Sequence, residues 1–206
     1  MIKQAIIGLW IILTPMAFAQ GDPVAGKAKS ATCVACHGAD GNGIAPNYPK
    51  IAGQNYAYLV KQLKAFRLGA QTQGEQGRYE PQMSPMAAPL SDQDIDDLAA
   101  YYASLSASPN TTPSNVIELG QTLYRSGDAA RGIPACMACH GPRGDGLRMA
   151  VFPKLSQQYA EYIQSQLEAF RAGERHDDMN GMMQDVARNL TDEEIQALAY
   201  YVGGLH

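Results

Sequence analysis

Two pentapeptides constrain everything else this chain can fold into: Cys33-Val34-Ala35-Cys36-His37 and Cys136-Met137-Ala138-Cys139-His140. Together they use all four cysteines of the 206-residue sequence. Two thiols three positions apart, on a tight turn or at a helix start, can each form a thioether to one of a porphyrin's two vinyl groups. The histidine that follows lies over the ring plane, where its imidazole can bind iron. Cys-x-x-Cys-His is the attachment signature of c-type haem. A redox-active Cys-x-x-Cys, half a zinc site and a disulfide are the competing uses of such cysteines. A thioredoxin-like pair does not require the adjoining histidine, and a Cys2His2 zinc site has different spacing. The pattern predicts two covalent haem c groups, one on Cys33 and Cys36, one on Cys136 and Cys139.

The rest of the chain repeats around these motifs with a period of about one hundred residues. Gly38, Asp40-Gly41-Asn42-Gly43 and Pro49-Lys50-Ile51 follow the first motif; Gly141, Gly144-Asp145-Gly146 and Pro153-Lys154-Leu155 follow the second. Gln54, Tyr58, Gln62-Leu63 and Ala65-Phe66-Arg67 match Gln158, Tyr162, Gln166-Leu167 and Ala169-Phe170-Arg171. Leu90-Ser91-Asp92 with Ile95, Leu98-Ala99 and Tyr101 matches Leu190-Thr191-Asp192 with Ile195, Leu198-Ala199 and Tyr201. Two copies of one unit imply two domains rather than a solenoid. The expected boundaries are 20–106 and 114–206, with 107–113 as a linker of small polar residues and prolines.

Each copy reads as helical. Asp22-Pro23 is an N-cap followed by proline at the first helical position. Tyr56, Leu59, Val60, Leu63 and Phe66 form a helical stripe over 55–68, and Tyr159, Tyr162, Ile163, Leu167 and Phe170 form its twin. Ser91 caps the last helix of the first copy, and Thr191 with Glu194 forms a capping box in the second. No alternating run predicts a strand. Gly120 and Tyr124 suit close packing of an N-terminal helix on a C-terminal one; the first copy has Gly26 and Ser30 there. The second copy carries an extra loop around 126–135. Each unit is small for a self-sufficient apolar core, and a haem offsets that by acting as the core. The fold class expected is all-α, two tandem units each wrapped around one covalent haem.

The N-terminus predicts export. Lys3, the apolar run 5–13 and Ala17-Phe18-Ala19 form a secretory signal, residues 1–19, cleaved after Ala19. The apolar run is short for a membrane span of about 20 residues. The expected location is the periplasm. The full chain has a formal net charge of −4 and no basic stripe, which argues against nucleic acid as a partner. The acidic excess is concentrated in the second copy, which offers either an orienting field for docking or a plain solvated surface.

The sixth iron ligand decides function. An open site allows binding or peroxidase chemistry; methionine closes the site and leaves electron transfer. With Leu90 and Leu190 in register, Met83 matches Met183, while Met86 falls opposite Val186 and Met182 opposite Gln82. Met83 and Met183 are therefore the expected distal ligands, opposite His37 and His140. Met86, Met179 and Met182 remain competitors. Each expected ligand precedes the final helix in a segment read as irregular. His176 and His206 are not repeat-related, which disfavours bis-histidine ligation at both sites.

These residues resemble the dihaem cytochrome c4 family, in which two class I cytochrome c units stand in tandem. The likeness rests on Pro49-Lys50-Ile51 and Pro153-Lys154-Leu155, the Gln54-to-Arg67 pattern, and Leu90-Ser91-Asp92 through Tyr101-Tyr102; it covers nearly the whole chain after residue 19. The resemblance implies haem attachment at Cys33, Cys36, Cys136 and Cys139. It implies axial ligation by His37 with Met83 and by His140 with Met183. In class I cytochromes a proline placed like Pro49 or Pro153 gives its carbonyl to the proximal imidazole, although both are equally good turn residues. The resemblance further implies a pseudo-twofold arrangement, with the propionate edges of the haems at a hydrogen-bonded interface. The implied role is a periplasmic, non-enzymatic electron carrier between a quinol-oxidising complex and a terminal oxidase or reductase, sometimes membrane-associated. A dihaem peroxidase-like enzyme and a cytochrome subunit of a larger dehydrogenase or oxidase are the competing readings.

Overall fold

The computed structural model describes residues 21–206, so the expected signal and its cleavage site lie outside the described residues. The described chain is helical. Its only extended pairings are the isolated bridges Asp128↔Ile133 and Leu147↔Phe152.

In the first unit, α1 (Pro23–Lys29) starts where the sequence places it, with Asp22 accepting from Val24 N–H at 2.8 Å. A 3₁₀ turn over Ser30–Thr32 leads into α2 (Val34–His37), the single turn that carries the first pentapeptide. Helix α3 (Tyr56–Gln71) runs past the expected end at Leu68. Gly69 does not stop it, because this glycine serves close approach: a Cβ there would lie 2.2 Å from the Arg78 carbonyl oxygen. A short α4 (Met83–Ala87) precedes α5 (Asp92–Ala103).

The second unit repeats this order. A 3₁₀ turn over Ser114–Val116 precedes α6 (Ile117–Ser126), followed by α7 (Met137–His140), α8 (Ala160–Ala172), α9 (Met182–Arg188) and α10 (Asp192–Gly203). Capping boxes start both final helices, from Ser91 with Asp94 as well as from Thr191 with Glu194. Arg67 and Arg171 hold the same junction in each unit. They donate to the Leu90 and Leu190 carbonyls at 2.8 and 2.9 Å and pair with Asp92 and Asp192.

In each unit the first α-helix, α1 or α6, crosses the last one at a glycine. A Cβ on Gly26 would sit 2.0 Å from the Asp97 carbonyl oxygen, and one on Gly120 would sit 2.5 Å from Tyr201 Cβ. Beside this crossing the two copies exchange bulk. Ser30 stands against Tyr102 in the first; Tyr124 stands where Ser30 would be in the second, and Val202 replaces Tyr102. All four are buried. A large side chain is thus moved from one helix to the other, which keeps the core filled.

The extra loop of the second copy folds back on itself. Asp128 and Ile133 exchange backbone bonds, and Arg131 pairs with Glu194 at the start of α10. The 106–113 segment has no helix or strand, as expected, but it is tied down. Lys50, 4 % exposed, donates to Ser108 O, Ser108 Oγ and Asn110 Oδ1 at 2.8–2.9 Å, and Asn110 donates to the Gln158 carbonyl.

The crossing glycines give a direct test. Gly120→Ala forces α6 away from α10 and should lower unfolding free energy by about 1–3 kcal/mol or more. Denaturant unfolding followed by helical circular dichroism measures it.

Candidate haem sites and the interface between them

Each pentapeptide is wound into one helical turn, which brings its two thiols, three residues apart, and the following imidazole onto neighbouring positions of that turn. All four cysteines are partly exposed and none pairs in a disulfide. Burial pushes the Cys136 thiol up to about 11, so it stays protonated and is a poor exchange nucleophile.

The histidines are more constrained. His37 is 5 % and His140 6 % exposed. Nδ1 of each lies 2.9 and 3.0 Å from the carbonyl oxygens of Pro49 and Pro153. A carbonyl only accepts, so Nδ1 must carry the proton, and Nε2 is left with its lone pair. Burial lowers both imidazole pKa values, against a smaller opposing effect of the proline bond, and keeps the rings neutral. A neutral ring with a fixed tautomer and a free Nε2 is the form that binds a metal.

Two loops deliver those prolines. Gly38 and Gly141, at φ +76° and +78°, end the turns directly after the histidines, in a conformation that side chains resist. The chain then returns: Ile51 and Ala52 N–H donate to Gly41 O, while Leu155 and Ser156 N–H donate to Gly144 O. The second loop is one residue longer, twelve against thirteen from histidine to proline. A turn ending at Val151, φ +60°, absorbs the extra residue.

The expected distal methionines sit elsewhere. Met83 opens α4 and Met183 lies in the first turn of α9, so these segments are helical rather than irregular. A carboxylate makes each short helix possible. Glu80 accepts from Gln82 and Met83 N–H, and Asp178 accepts from Met183 and Gln184 N–H. Both methionines are partly buried, while Met86, Met179 and Met182 are exposed. The helices pack on α3 and α8 respectively. His176 and His206 are exposed.

Sequence reasoning found no role for several polar groups near these sites. The Tyr102 hydroxyl is buried beside Cys33 with no hydrogen-bond partner, and burial, then Cys33, push its phenol well above the usual range. In the second unit the Tyr124 hydroxyl donates to Gly141 O. Between the units, Gln54 and Gln158 reach across. Gln158 Oε1 accepts from Lys50 N–H and its Nε2 donates to Lys50 O, both at 2.8 Å. Gln54 does the same to Lys154, again at 2.8 Å. Residue i meets j of the other copy, and j meets i, as in an isologous interface.

A second crossed set lies beside the first. Arg78 donates to Gln62 and Gln166, and Arg175 donates to Gln166 and Gln62. Each guanidinium stacks on its own unit's phenylalanine, Phe66 or Phe170, at 4.6 and 4.5 Å. The set has one carboxylate, Asp177, which accepts from Arg175 at 2.8 Å and Gln62 at 2.7 Å. Burial alone would raise the Asp177 pKa, but Arg175 and then Arg78 outweigh it and hold it below 3.8.

Two tandem sites of identical construction, joined by reciprocal bonds, call for a comparison with known proteins. The cytochrome c family model matches residues 24–106 and again 117–206. The chain is 42% identical to a cytochrome c4 of Azotobacter vinelandii, over 99% of this chain and all of that one. This chain belongs to the dihaem cytochrome c4 family. The crystal structure of reduced recombinant cytochrome c4 from Pseudomonas stutzeri superposes with a TM-score of 0.87 at 44% identity, covering 90% of this chain and 100% of that one. A Stutzerimonas stutzeri protein named thiosulfate dehydrogenase electron acceptor is 42% identical, over 82% of this chain and 76% of its own length. The chain is an electron-transfer cytochrome with two c-type haems, built as two tandem all-α cytochrome c domains. The unpaired cysteines and the neutral, tautomer-fixed imidazoles fit that group.

The buried ion pair makes a prediction. Asp177→Asn removes the carboxylate paired with the buried Arg175 guanidinium and should cost about 3–5 kcal/mol of stability. In the unsubstituted protein the Asp177 contribution is present above its ordinary value of 3.8 and is lost as pH falls through its lowered folded value. Chemical denaturation of both proteins between neutral pH and acid tests both statements.

Proposed function

We propose that the chain is exported as domains 20–106 and 114–206 joined by 107–113, and shuttles electrons with no substrate of its own. Its donor would be a quinol-oxidising complex and its acceptor a terminal oxidase or reductase. The single observation carrying this reading is the repeated buried imidazole, with Nδ1 held by a proline carbonyl in both units. Each haem, when bound, supplies one-electron iron chemistry.

The chain's own residues then have assigned tasks. Cys33, Cys36, Cys136 and Cys139 anchor covalently. His37 and His140 offer Nε2 as proximal ligands. Met83 and Met183, the repeat-matched and partly buried pair, would serve as the second iron ligands and would keep small molecules from the iron. Arg78 and Arg175 are buried cations beside one carboxylate, Asp177, so they would suit the carboxylates that a bound haem carries.

Residues 1–19 are read as the signal, which places the mature chain in the periplasm, starting at Gln20. Among the described residues no helix is long and apolar enough to cross a membrane. Peripheral membrane association fits this reading. The relative named as an electron acceptor of thiosulfate dehydrogenase favours a second donor class, a dehydrogenase.

Two measurements test the proposal. Mass spectrometry of purified mature protein should give a chain starting at Gln20 plus two haem masses. Met83→Ala and Met183→Ala should each turn one haem high-spin and remove about half of the near-infrared methionine–iron band. Unchanged spin states in both variants would sink the ligand assignment, and peroxide turnover by the unsubstituted protein would sink the carrier reading.

A further inference from the structure

The peptide group that holds each histidine is itself held by the other domain. The Pro49–Lys50 peptide accepts at its oxygen from His37 Nδ1–H, at 2.9 Å, and donates at its N–H to Gln158 Oε1, at 2.8 Å. The Pro153–Lys154 peptide accepts from His140 at 3.0 Å and donates to Gln54 Oε1 at 2.8 Å. From these bonds we propose that Gln54 and Gln158 are positioning residues that set the reduction potential of the haem in the opposite domain. The proposal rests on His37 and His140 being the iron ligands.

The geometry favours a tuning role over simple adhesion. Each carboxamide makes two bonds to one lysine backbone, through Oε1 to its N–H and through Nε2 to its C=O, so only one amide orientation satisfies both. Both glutamines are 8 % exposed, which keeps water from competing. Each Oε1 also accepts from the following residue, Asn55 N–H at 2.8 Å and Tyr159 N–H at 2.9 Å, which fixes its position.

A peptide that donates at nitrogen while accepting at oxygen is polarised along its length. Each bond strengthens its neighbour, by about 10–30%. The glutamine therefore makes the proline carbonyl a better acceptor. The stronger pull on Nδ1–H makes the imidazole more electron-rich, which favours ferric over ferrous iron. Gln158 thus lowers the potential in the first domain and Gln54 lowers it in the second. No atom of either glutamine needs to contact the group it tunes.

The test uses the intact dihaem protein. Gln158→Met keeps side-chain length and removes both bonds; Gln54→Met is its mirror. Redox titration followed by NMR of each haem's methyl signals reads the two potentials separately. Gln158→Met should shift the first-domain Fe(III)/Fe(II) equilibrium about threefold toward Fe(II), a rise of about 30 mV at 59 mV per decade, and leave the second unmoved. Gln54→Met should do the reverse. The His37 Nδ1–H resonance should move in Gln158→Met and the His140 resonance in Gln54→Met.

Movement of the substituted domain's own haem, equal movement of both, or none overturns the proposal. Loosening the interface would move both haems or neither. Should a Met variant fail to hold haem, Gln158→Glu decides. A neutral carboxyl makes the same two bonds, so at acid pH the first-domain potential should match the unsubstituted protein; a threefold shift there overturns the idea. Absent imidazole signals from His37 and His140 in the unsubstituted protein would remove the ligand assignment and the proposal together. Intact signals with an uncrossed shift remove the proposal alone.

Discussion

The bond from a buried imidazole to a proline carbonyl governs the rest of this architecture. An imidazole facing water could take either tautomer; one facing a carbonyl oxygen cannot. The requirement propagates outward. The histidine must be followed by a residue that turns the chain, hence Gly38 and Gly141. The returning segment must come back at a fixed height, hence the paired N–H donors of Ile51 and Ala52, and of Leu155 and Ser156, on one glycine carbonyl. A one-residue insertion in the second loop is then absorbed away from the proline, at Val151, where the left-handed backbone is costly for a β-branched residue. The carbonyl position is preserved and the strain is placed in a partly exposed turn.

The interface follows from the same loops. Bringing Pro49-Lys50 and Pro153-Lys154 to the surface of each domain exposes backbone N–H and C=O groups that helices would otherwise satisfy. Burying them unpaired would cost about 1–3 kcal/mol each. Duplication solves the problem in one step. A glutamine that can reach the partner's loop reaches it from both sides, so Gln54 and Gln158 satisfy four backbone groups with two side chains. The arginines follow the same logic, each shared between its own glutamine and the other domain's. An interface made of directional bonds also fixes one relative orientation, whereas an apolar patch of the same area tolerates sliding.

Much of this was legible in the residues. The pentapeptides, the caps at Asp22, Ser91 and Thr191, the crossing glycines and the helical stripes each carry a local physical signal, and each lies where that signal places it. What was missed is non-local or register-dependent. The apolar stripe gave the segment 55–68, while α3 runs on to Gln71 through Gly69, which admits the Arg78 backbone. Helices α4 and α9 were hidden because their N-termini are capped from outside the helix by Glu80 and Asp178. Gln54 and Gln158 were visible as repeat mates, yet nothing in one sequence says that a side chain crosses to the other copy. Arg78 and Arg175 were not even paired, because the register that aligns Leu90 with Leu190 places Arg78 opposite Asp178. Their shared bond, from backbone N–H to the Ala65 or Ala169 carbonyl, reveals the equivalence.

Equivalence in backbone does not mean equivalence in field. Beside the first cysteine of each motif stands a phenol, but it arrives from different helices: Tyr102 from α5 and Tyr124 from α6. The first hydroxyl is unpaired, and the second donates to the Gly141 carbonyl. The loop from which Gly141 starts is the one that ends in Pro153. The second domain therefore ties this phenol to the backbone next to His140, whereas in the first a neighbouring phenol, Tyr101, makes the longer bond to Ala39 O at 3.4 Å. Asp177 adds a carboxylate beside one arginine and has no repeat-matched counterpart in that network. Two sites with the same donor set are thus surrounded by different dipoles and different charge. In a medium of low dielectric such differences act over the whole site. A chain whose halves share a backbone plan and differ in their surroundings thus presents two equivalent imidazoles with two unequal fields.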